Sequence, residues 1–183
     1  EVKNTGPRMT GTIERGESLK IGYYHQNGMN FNPEDTVLDI VNDTWLLNRF
    51  LFPHDMLNNK VEKLSGGEKR RLYLLTILMQ QPNLLILDEP TNDLDIETLE
   101  WLESFIVNST LPILFVSHDE MLIENAANVI IHLEQLIRKT KCRATVSRAS
   151  YSEYLSHRRS DFEHQEAVAK KQREDHRKQM ERW

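Results

Sequence analysis

Two adjacent carboxylates, Asp88 and Glu89, follow a short apolar run that begins at Leu84. Such a run predicts a buried strand, and a strand of an open α/β sheet delivers the residues after it to the edge where ligands bind. At that edge one carboxylate can hold Mg²⁺, directly or through water, and the next can polarise an attacking water molecule. An isolated Asp-Glu pair more often marks a solvated turn, but the apolar run before it and Pro90-Thr91-Asn92 after it favour the catalytic interpretation.

A second candidate site is the sequence LSGGE at Leu64–Glu68, which precedes apolar residues at helical spacing. Free backbone N–H groups at a helix start attract phosphate, and Gly66 and Gly67 allow a close approach because they carry no Cβ. The Ser65 hydroxyl can donate to the same phosphate. The alternative is that Ser65 and Glu68 only form a capping box, and for this motif alone the two explanations have similar weight.

Two further polar residues follow predicted strands. His118 comes after the apolar run Ile113–Val116, where an imidazole could contact a terminal phosphate and help to hold the water used by Glu89. Gln26 comes after Ser18–Tyr24 and could coordinate Mg²⁺ or orient water through its amide. Taken singly, each is as easily a surface side chain. A Ser-His-Asp hydrolase triad at 117–119 is excluded, because consecutive residues point in divergent directions.

The elements that must position these groups follow from apolar spacing and capping residues. Apolar side chains recur at helical spacing within Ser65–Gln80, which predicts a helix. Asp95 is suited to cap a helix over Ile96–Val107, and the order strand, helix, strand predicts a parallel crossover. The other predicted elements are short helices at Thr36–Val41 and Thr44–Phe52, a helix at Asp119–Ala127, strands at Asn128–Leu133 and Arg143–Val146, and a long exposed helix after Tyr151.

The 183 residues provide room for one domain and an appendage. Cys142 is the only cysteine, so no internal disulfide can form, and the absence of a secretory segment at Glu1 predicts a cytoplasmic protein. No apolar run approaches the ~20 residues needed to cross a bilayer, so no membrane insertion is expected. The net charge of −5 argues against nucleic-acid binding by the whole surface. A chain with this net charge can still have a local basic face.

Together the motifs resemble the ATP-binding-cassette (ABC) family of ATPases. The similar segments are LSGGEKRR at Leu64–Arg71 (the ABC signature), LLILDEP at Leu84–Pro90 (Walker B with its catalytic glutamate), NDLD at Asn92–Asp95 (the D-loop), VSHD at Val116–Asp119 (the H-loop) and Gln26 (the Q-loop glutamine). The resemblance implies an α/β fold similar to P-loop NTPases, with a parallel sheet core, a helical signature subdomain and a C-terminal helical extension.

The resemblance also implies an ATP hydrolase in which two cassettes sandwich two ATP molecules head to tail. In that arrangement Ser65, Gly66 and Gly67 contact the nucleotide of the partner cassette. The residues serving the chain's own nucleotide are the catalytic Glu89 and His118 and the Mg²⁺ ligands Asp88 and Gln26. The D-loop Asp95 is also expected to be a nucleotide-binding residue.

The sequence departs from the family pattern in two places. No G-x-x-x-x-G-K-[ST] phosphate loop (Walker A) occurs in the chain, and we expect that loop shortly before Glu1. Without its lysine and backbone cradle, this chain alone is expected to be inactive. The stretch between Gln26 and Leu64 is also short for the family, and the join at Asp43-Thr44 is abrupt, which leaves open whether a segment is missing there.

The signature, the Walker B region and Leu51-Phe52-Pro53 look more like the ABC-F branch than like transporter subunits. In ABC-F proteins a helical linker joins two cassettes and reaches toward the transfer-RNA site of the ribosome. Residues 1–150 are therefore interpreted as a partial ABC ATPase domain and residues 151–183 as the start of a charged linker. The resemblance implies a ribosome factor, in translation or in antibiotic resistance by ribosome protection. The alternatives are the nucleotide-binding subunit of an ABC transporter and a non-catalytic structural piece.

The predicted linker carries both signs of charge. Its bases could meet RNA phosphates and supply salt-dependent affinity, namely Arg158, Arg159, Lys170, Lys171, Arg173, Arg177, Lys178 and Arg182. The interleaved acids could instead form i,i+4 pairs with them on a solvated helix. Charge alone does not separate these two interpretations, and only the family resemblance favours ribosomal and transfer RNA as partners.

Overall fold

A computed structural model describes residues 14–25, 28–92, 94–135 and 142–180. At residues 135, 142, 165–166, 169 and 171–179 it describes the backbone alone. The strands are β1 (Ile21–Tyr24), β2 (Leu84–Asp88), β3 (Ile113–Val116), β4 (Ile130–Gln135) and β5 (Cys142–Ser147). The α-helices are α1 (Val37–Ile40), α2 (Thr44–Arg49), α3 (Gly66–Leu78), α4 (Ile96–Asn108), α5 (Glu120–Ala126) and α6 (Tyr151–Met180), with short 3₁₀ turns at His54–Met56 and Val61–Lys63.

The described residues fall into two compact units. The first spans 1–98 and 109–116, and the second spans 99–108 and 117–183. The first unit contains the sheet that carries Asp88, and the second contains the β4–β5 pair with α5 and α6. The interpretation of 1–150 as cassette and 151–183 as linker stays a prediction.

The sheet of the first unit has three parallel strands in the order β1, β2, β3. Tyr24 pairs with Leu87 and Asp88 pairs with Val116, so the carboxyl ends of all three strands meet at one edge. Strand β2 lies at the centre, and the predicted parallel crossover through α4 is confirmed. The sheet therefore has the carboxyl edge at which ligands are expected, and Asp88, a predicted Walker B residue, ends its central strand.

The apolar strands are buried less completely than their sequences predict. Leu85 and Leu87 of β2 are fully buried, whereas the alternate residues of that strand are half-buried. On β3, Leu114 and Val116 remain 45% and 53% exposed. An apolar run predicts a strand that is covered on both faces. Among the described residues, only one face of β3 is largely shielded from solvent.

Helix α3 begins as its sequence predicts. The Ser65 side chain accepts a hydrogen bond from the Glu68 N–H, and the Glu68 carboxylate accepts one from the Ser65 N–H, forming a capping box. Leu72 and Leu75 are fully buried within the first unit. At the join at Asp43-Thr44, Asp43 caps α2 by accepting from the Leu46 N–H at 2.9 Å, so the chain there follows ordinary helix-start geometry.

In the second unit, β4 and β5 form an antiparallel pair that leads into α6. Helix α5 contacts the start of α6 through Glu124, whose carboxylate accepts from the Ser152 N–H at 2.8 Å and from its hydroxyl at 3.0 Å. Helix α6 is 30 residues long, and its apolar side chains Phe162 and Met180 are exposed. Among the described residues, none of the helices combines the length with the apolar character that a membrane span requires.

Candidate active site

Asp88 ends strand β2 and is half-buried at the carboxyl edge of the sheet. The Tyr23 hydroxyl, on the neighbouring strand β1, donates to its Oδ2 at 3.2 Å. Desolvation and then the negative charge of Asp88 raise the pKa of the Tyr23 phenol above its ordinary value. The phenol therefore stays a proton donor to the carboxylate at neutral pH.

Glu89 follows with a left-handed backbone, at a φ of 49°. This conformation is uncommon for a residue with a Cβ and costs about 1–3 kcal/mol. The Glu89 N–H is held by the carbonyl of Val116 at 3.0 Å, and the side-chain Oε2 is shielded from solvent. Because the backbone leaves the β region here, Glu89 does not continue the side-chain alternation of β2, and strain of this kind is frequent at functional positions.

The chemistry at Asp88 suits Mg²⁺. Its carboxylate is a hard oxygen ligand, one oxygen is already held by Tyr23, and a Mg²⁺ site in nucleotide enzymes commonly takes one or two carboxylates with substrate phosphates. The described residues contain no group of three or more His, Cys, Asp or Glu side chains placed to hold a metal by themselves. Gln26, the other predicted Mg²⁺ ligand, lies outside the described residues.

The two signature glycines have different surroundings. Ser65 and Gly66 are exposed at the N-terminus of α3, where N–H groups are open to an anion. Gly67 is buried, and a Cβ at that position would lie 2.6 Å from Asp95 Oδ2 and 2.8 Å from Thr98 Oγ1. The absence of a side chain at Gly67 therefore lets the signature helix pack directly on the D-loop.

Asp95 is held at the start of α4. Its Oδ1 accepts from the Thr98 N–H at 2.8 Å, which confirms the predicted N-cap. The Thr98 backbone, then its hydroxyl, and also the charge of Arg71 lower the pKa of Asp95. Arg71, on α3, is buried, donates to the Thr98 hydroxyl, and lies over the Phe52 ring at 5.8 Å. Arg71 thus ties the signature helix to the D-loop cap.

This contact yields a stability prediction. Thr98→Val keeps the shape of the side chain but removes the oxygen to which Arg71 donates, and the Arg71 Nε already has no hydrogen-bond partner among the described residues. Leaving a buried donor unsatisfied costs about 1–3 kcal/mol, so the free energy of unfolding is expected to fall by that amount. Urea denaturation of the full-length protein measures it. Thr98→Ser, which retains the hydroxyl, serves as the control, and equal stability of the valine variant would refute the coupling.

The segments on either side of Gln26 pack on the signature helix. Tyr24, at the end of β1, contacts Tyr73 of α3 with ring centroids 5.0 Å apart, and Phe31 meets the same ring edge-on at 6.4 Å. Gly28 lies against the Tyr73 hydroxyl, which would be 2.2 Å from a Cβ at that position. The chain before and after Gln26 is thereby fixed by one side chain of α3.

His118 lies in a turn of the second unit, two residues after the end of β3, and is exposed. Ser117 and Asp119 shape the turn, because the Ser117 Oγ accepts from the Asp119 N–H at 3.0 Å and Asp119 caps α5. Asp88, Glu89, Ser65, Gly66, Gly67 and Asp95 belong to the first unit. The joint action of His118 and Glu89 stays a prediction.

Sequence reasoning missed Tyr23, Arg71 and Thr98. The signal for Tyr23 was available, since parallel pairing of β1 with β2 places Tyr23 on the face shared by Ile86 and Asp88. Arg71 and Thr98 carried no comparable signal, because their contact joins two helices that only the packed fold brings together.

The parallel sheet has Asp88 at the end of its central strand and Glu89 directly after it, and the capped signature helix packs beside it. This is the architecture of an ABC nucleotide-binding domain. The profile of the family described as ABC transporter matches residues 1–92, and the chain belongs to that family. In three dimensions the chain is similar to the archaeal ribosome recycling factor aABCE1, solved with the ribosomal stalk protein aP1, at a TM-score of 0.58 and 24% identity. That match covers 74% of this chain and 28% of the other and establishes the fold.

Sequence relatives point to the same class of ATP-binding protein. The ABC transporter ATP-binding protein YfmR of Bacillus subtilis is 41% identical over 162 residues, covering 79% of this chain and 25% of that protein. Uup of Haemophilus influenzae is 42% identical over 132 residues, covering 64% and 20% respectively. The ABC transporter F family member 5 of Arabidopsis thaliana is 36% identical over 115 residues, covering 63% and 16%. The chain thus spans a quarter or less of the length of these relatives.

Proposed function

We propose that the chain belongs to an ABC-F-type ATPase that acts on the ribosome in the cytoplasm and affects translation. The observation that carries this proposal is the occurrence, in one chain, of a sheet edge bearing Asp88 and Glu89 and of α6, a long, charged and exposed helix. A relative named as an ABC transporter F family member and a fold neighbour described as a ribosome recycling factor support it.

In the proposed mechanism Glu89 acts as the general base toward the water that attacks the terminal phosphate. Asp88, together with Gln26, would hold Mg²⁺, which would supply positive charge to neutralise the phosphates. His118 contacts the terminal phosphate and helps to hold the water. The phosphate loop that binds the rest of ATP has to come from outside residues 1–183, because their sequence contains none.

The signature is proposed to act on a second cassette. Ser65 and Gly66 are exposed at the start of α3, so a phosphate carried by another cassette can reach their N–H and hydroxyl groups. ATP then closes two cassettes and hydrolysis lets them reopen, which makes the nucleotide a conformational timer. The second cassette is either part of the same full-length protein or a second copy of it.

The ribosomal role is tested by the response of ATP turnover to ribosomes. The purified full-length protein is assayed with and without added ribosomes at fixed ATP, and stimulation by ribosomes is expected because they favour the closed form that hydrolyses. The control uses Glu89→Gln, in which no stimulated rate is expected. An unchanged rate with ribosomes, combined with co-purification of an integral membrane subunit, would instead establish the transporter alternative.

Arg158, one of the bases predicted to contact RNA, also has partners within the protein. Its Nη2 lies 3.3 Å from Glu134 Oε2, and its Nη1 donates to the Tyr154 hydroxyl at 3.3 Å and contacts His132. These partners lie on β4 and on the first turn of α6, so Arg158 fixes the start of α6 to β4 within the second unit. The side chains of Lys171 and Arg173 lie outside the described residues, whereas Arg159 and Lys170 are exposed.

Neutralising Arg159, Lys170, Lys171 and Arg173 to glutamine is expected to weaken ribosome binding. The slope of log affinity against log salt should become shallower by about one for each RNA phosphate that the variant no longer neutralises. ATPase activity off the ribosome should not change, because none of these residues belongs to the sheet edge.

Arg158→Gln is the matched control for this salt measurement. It removes one positive charge from the same helix, but that charge is already paired with Glu134, so the salt slope should stay near the wild-type value. If the four-residue variant also kept the wild-type slope, these bases would not contact RNA. They would only keep a charged helix in solvent, and the RNA role of α6 would be wrong.

A further inference from the structure

The Tyr23 hydroxyl donates a hydrogen bond to the Asp88 carboxylate. Strand β1 pairs with β2 in parallel, with Tyr23 opposite Ile86, so Tyr23 and Asp88 lie on the same face of the sheet. The hydroxyl reaches Oδ2 at 3.2 Å, and the carboxylate has a second acceptor oxygen, Oδ1.

The position of Tyr23 is poorly explained by packing. Its side chain is 48% exposed, whereas the adjacent Tyr24 is only 3% exposed and accepts a hydrogen bond from Arg70 at 3.4 Å. The Tyr23 ring is held from one side by His25, with ring centroids 5.7 Å apart and an interplanar angle of 84°. Tyr23 is half-exposed, its ring is oriented by His25, and its hydroxyl bonds to a carboxylate. The hydrogen bond of the hydroxyl therefore explains this position better than burial of the ring does.

We propose that Tyr23 is a positioning residue for the metal-binding carboxylate of Asp88. By binding Oδ2, its hydroxyl would hold the carboxylate in one orientation, so less ordering would be required when Mg²⁺–nucleotide binds. Hydrogen bonds to metal-ligating carboxylates commonly change metal affinity by about 10–100-fold when they are removed. This inference rests on the proposed role of Asp88 as a Mg²⁺ ligand.

The test substitutes Tyr23→Phe in the full-length protein and measures two quantities. The first is the Mg²⁺ concentration that gives half-maximal ATP hydrolysis, and the second is Mn²⁺ binding in the presence of ADP, followed by electron paramagnetic resonance. Both midpoints are expected to rise by about 10–100-fold. The matched control is Tyr24→Phe, which removes a hydroxyl from the same strand without contact to Asp88 and should leave both metal midpoints in place.

Asp88→Asn separates failure of this inference from failure of the proposed site. If Asp88→Asn shifts both midpoints and Tyr23→Phe adds nothing in that background, Tyr23 acts through Asp88 as proposed. If Asp88→Asn shifts them and Tyr23→Phe alone does not, the positioning role is wrong and the metal site stands. If Asp88→Asn leaves both midpoints unchanged, Asp88 is not the metal ligand and both proposals are wrong.

Discussion

Glu89→Gln in the full-length protein is expected to lower ATP turnover by about 10²-fold or more, while ATP binding is retained. The carboxylate acts on the attacking water, and the amide is nearly the same size but cannot accept its proton. Loss of the negative charge also relieves repulsion with the terminal phosphate, so affinity for ATP should be equal or higher. Glutamine has the same branching as glutamate, so the substitution should not add to the cost of the left-handed backbone at this position.

The measurement is single-turnover hydrolysis of bound ATP, since this step is independent of product release. The control is Glu97→Gln, which makes the same change at an exposed carboxylate in the first turn of α4 and should leave the rate unchanged. If Glu89→Gln hydrolysed ATP at a near wild-type single-turnover rate, Glu89 would not be the general base.

Gly66→Asp and Gly67→Val are expected to fail in opposite ways. Gly66 is exposed, so an aspartate there should be accommodated by the fold, but its charge would oppose the phosphate of the partner cassette. Like charges placed together at an interface cost several kcal/mol, which corresponds to about 10²-fold or more in ATP-driven association. Gly67 is buried against Asp95 and Thr98, and overpacking at such a position costs about 1–3 kcal/mol of unfolding free energy.

Two measurements separate these effects. Urea denaturation reports folding of each variant, and a distance probe between the two cassettes reports ATP-dependent closure. Gly66→Asp should show near wild-type stability and no closure, and Gly67→Val should show reduced stability. If Gly66→Asp unfolded the protein while its remaining folded fraction still closed with ATP, the signature would serve only to cap α3.

The sequence was informative where the determinants are local. The capping box of Ser65 and Glu68, the N-cap at Asp95, and the apolar runs of β2 and β3 each depend on residues within a few positions, and each prediction is confirmed. The order of strands and helices then determined the parallel pairing, because crossover connections restrict the topology.

The remaining features depend on contacts between distant residues. The Arg71–Thr98 hydrogen bond crosses 27 positions and joins two helices, and the Arg158–Glu134 ion pair crosses 24 positions. The charge pattern cannot show that Arg158 forms an ion pair with Glu134, because Glu134 lies on another element. On charge alone, Arg158 is therefore grouped with the other bases of α6. The left-handed backbone of Glu89 also has no signal in its own residue type, since glutamate rarely adopts it.

We propose that this protein binds the ribosome in its ATP-bound state, and co-sedimentation measures that binding. Full-length Glu89→Gln protein, which should bind ATP without hydrolysing it, is centrifuged with ribosomes in the presence of ATP or of ADP. The proposed function predicts that the protein pellets with ribosomes in ATP and remains in the supernatant in ADP. Equal partitioning with the two nucleotides, in a variant shown separately to bind ATP, would contradict it.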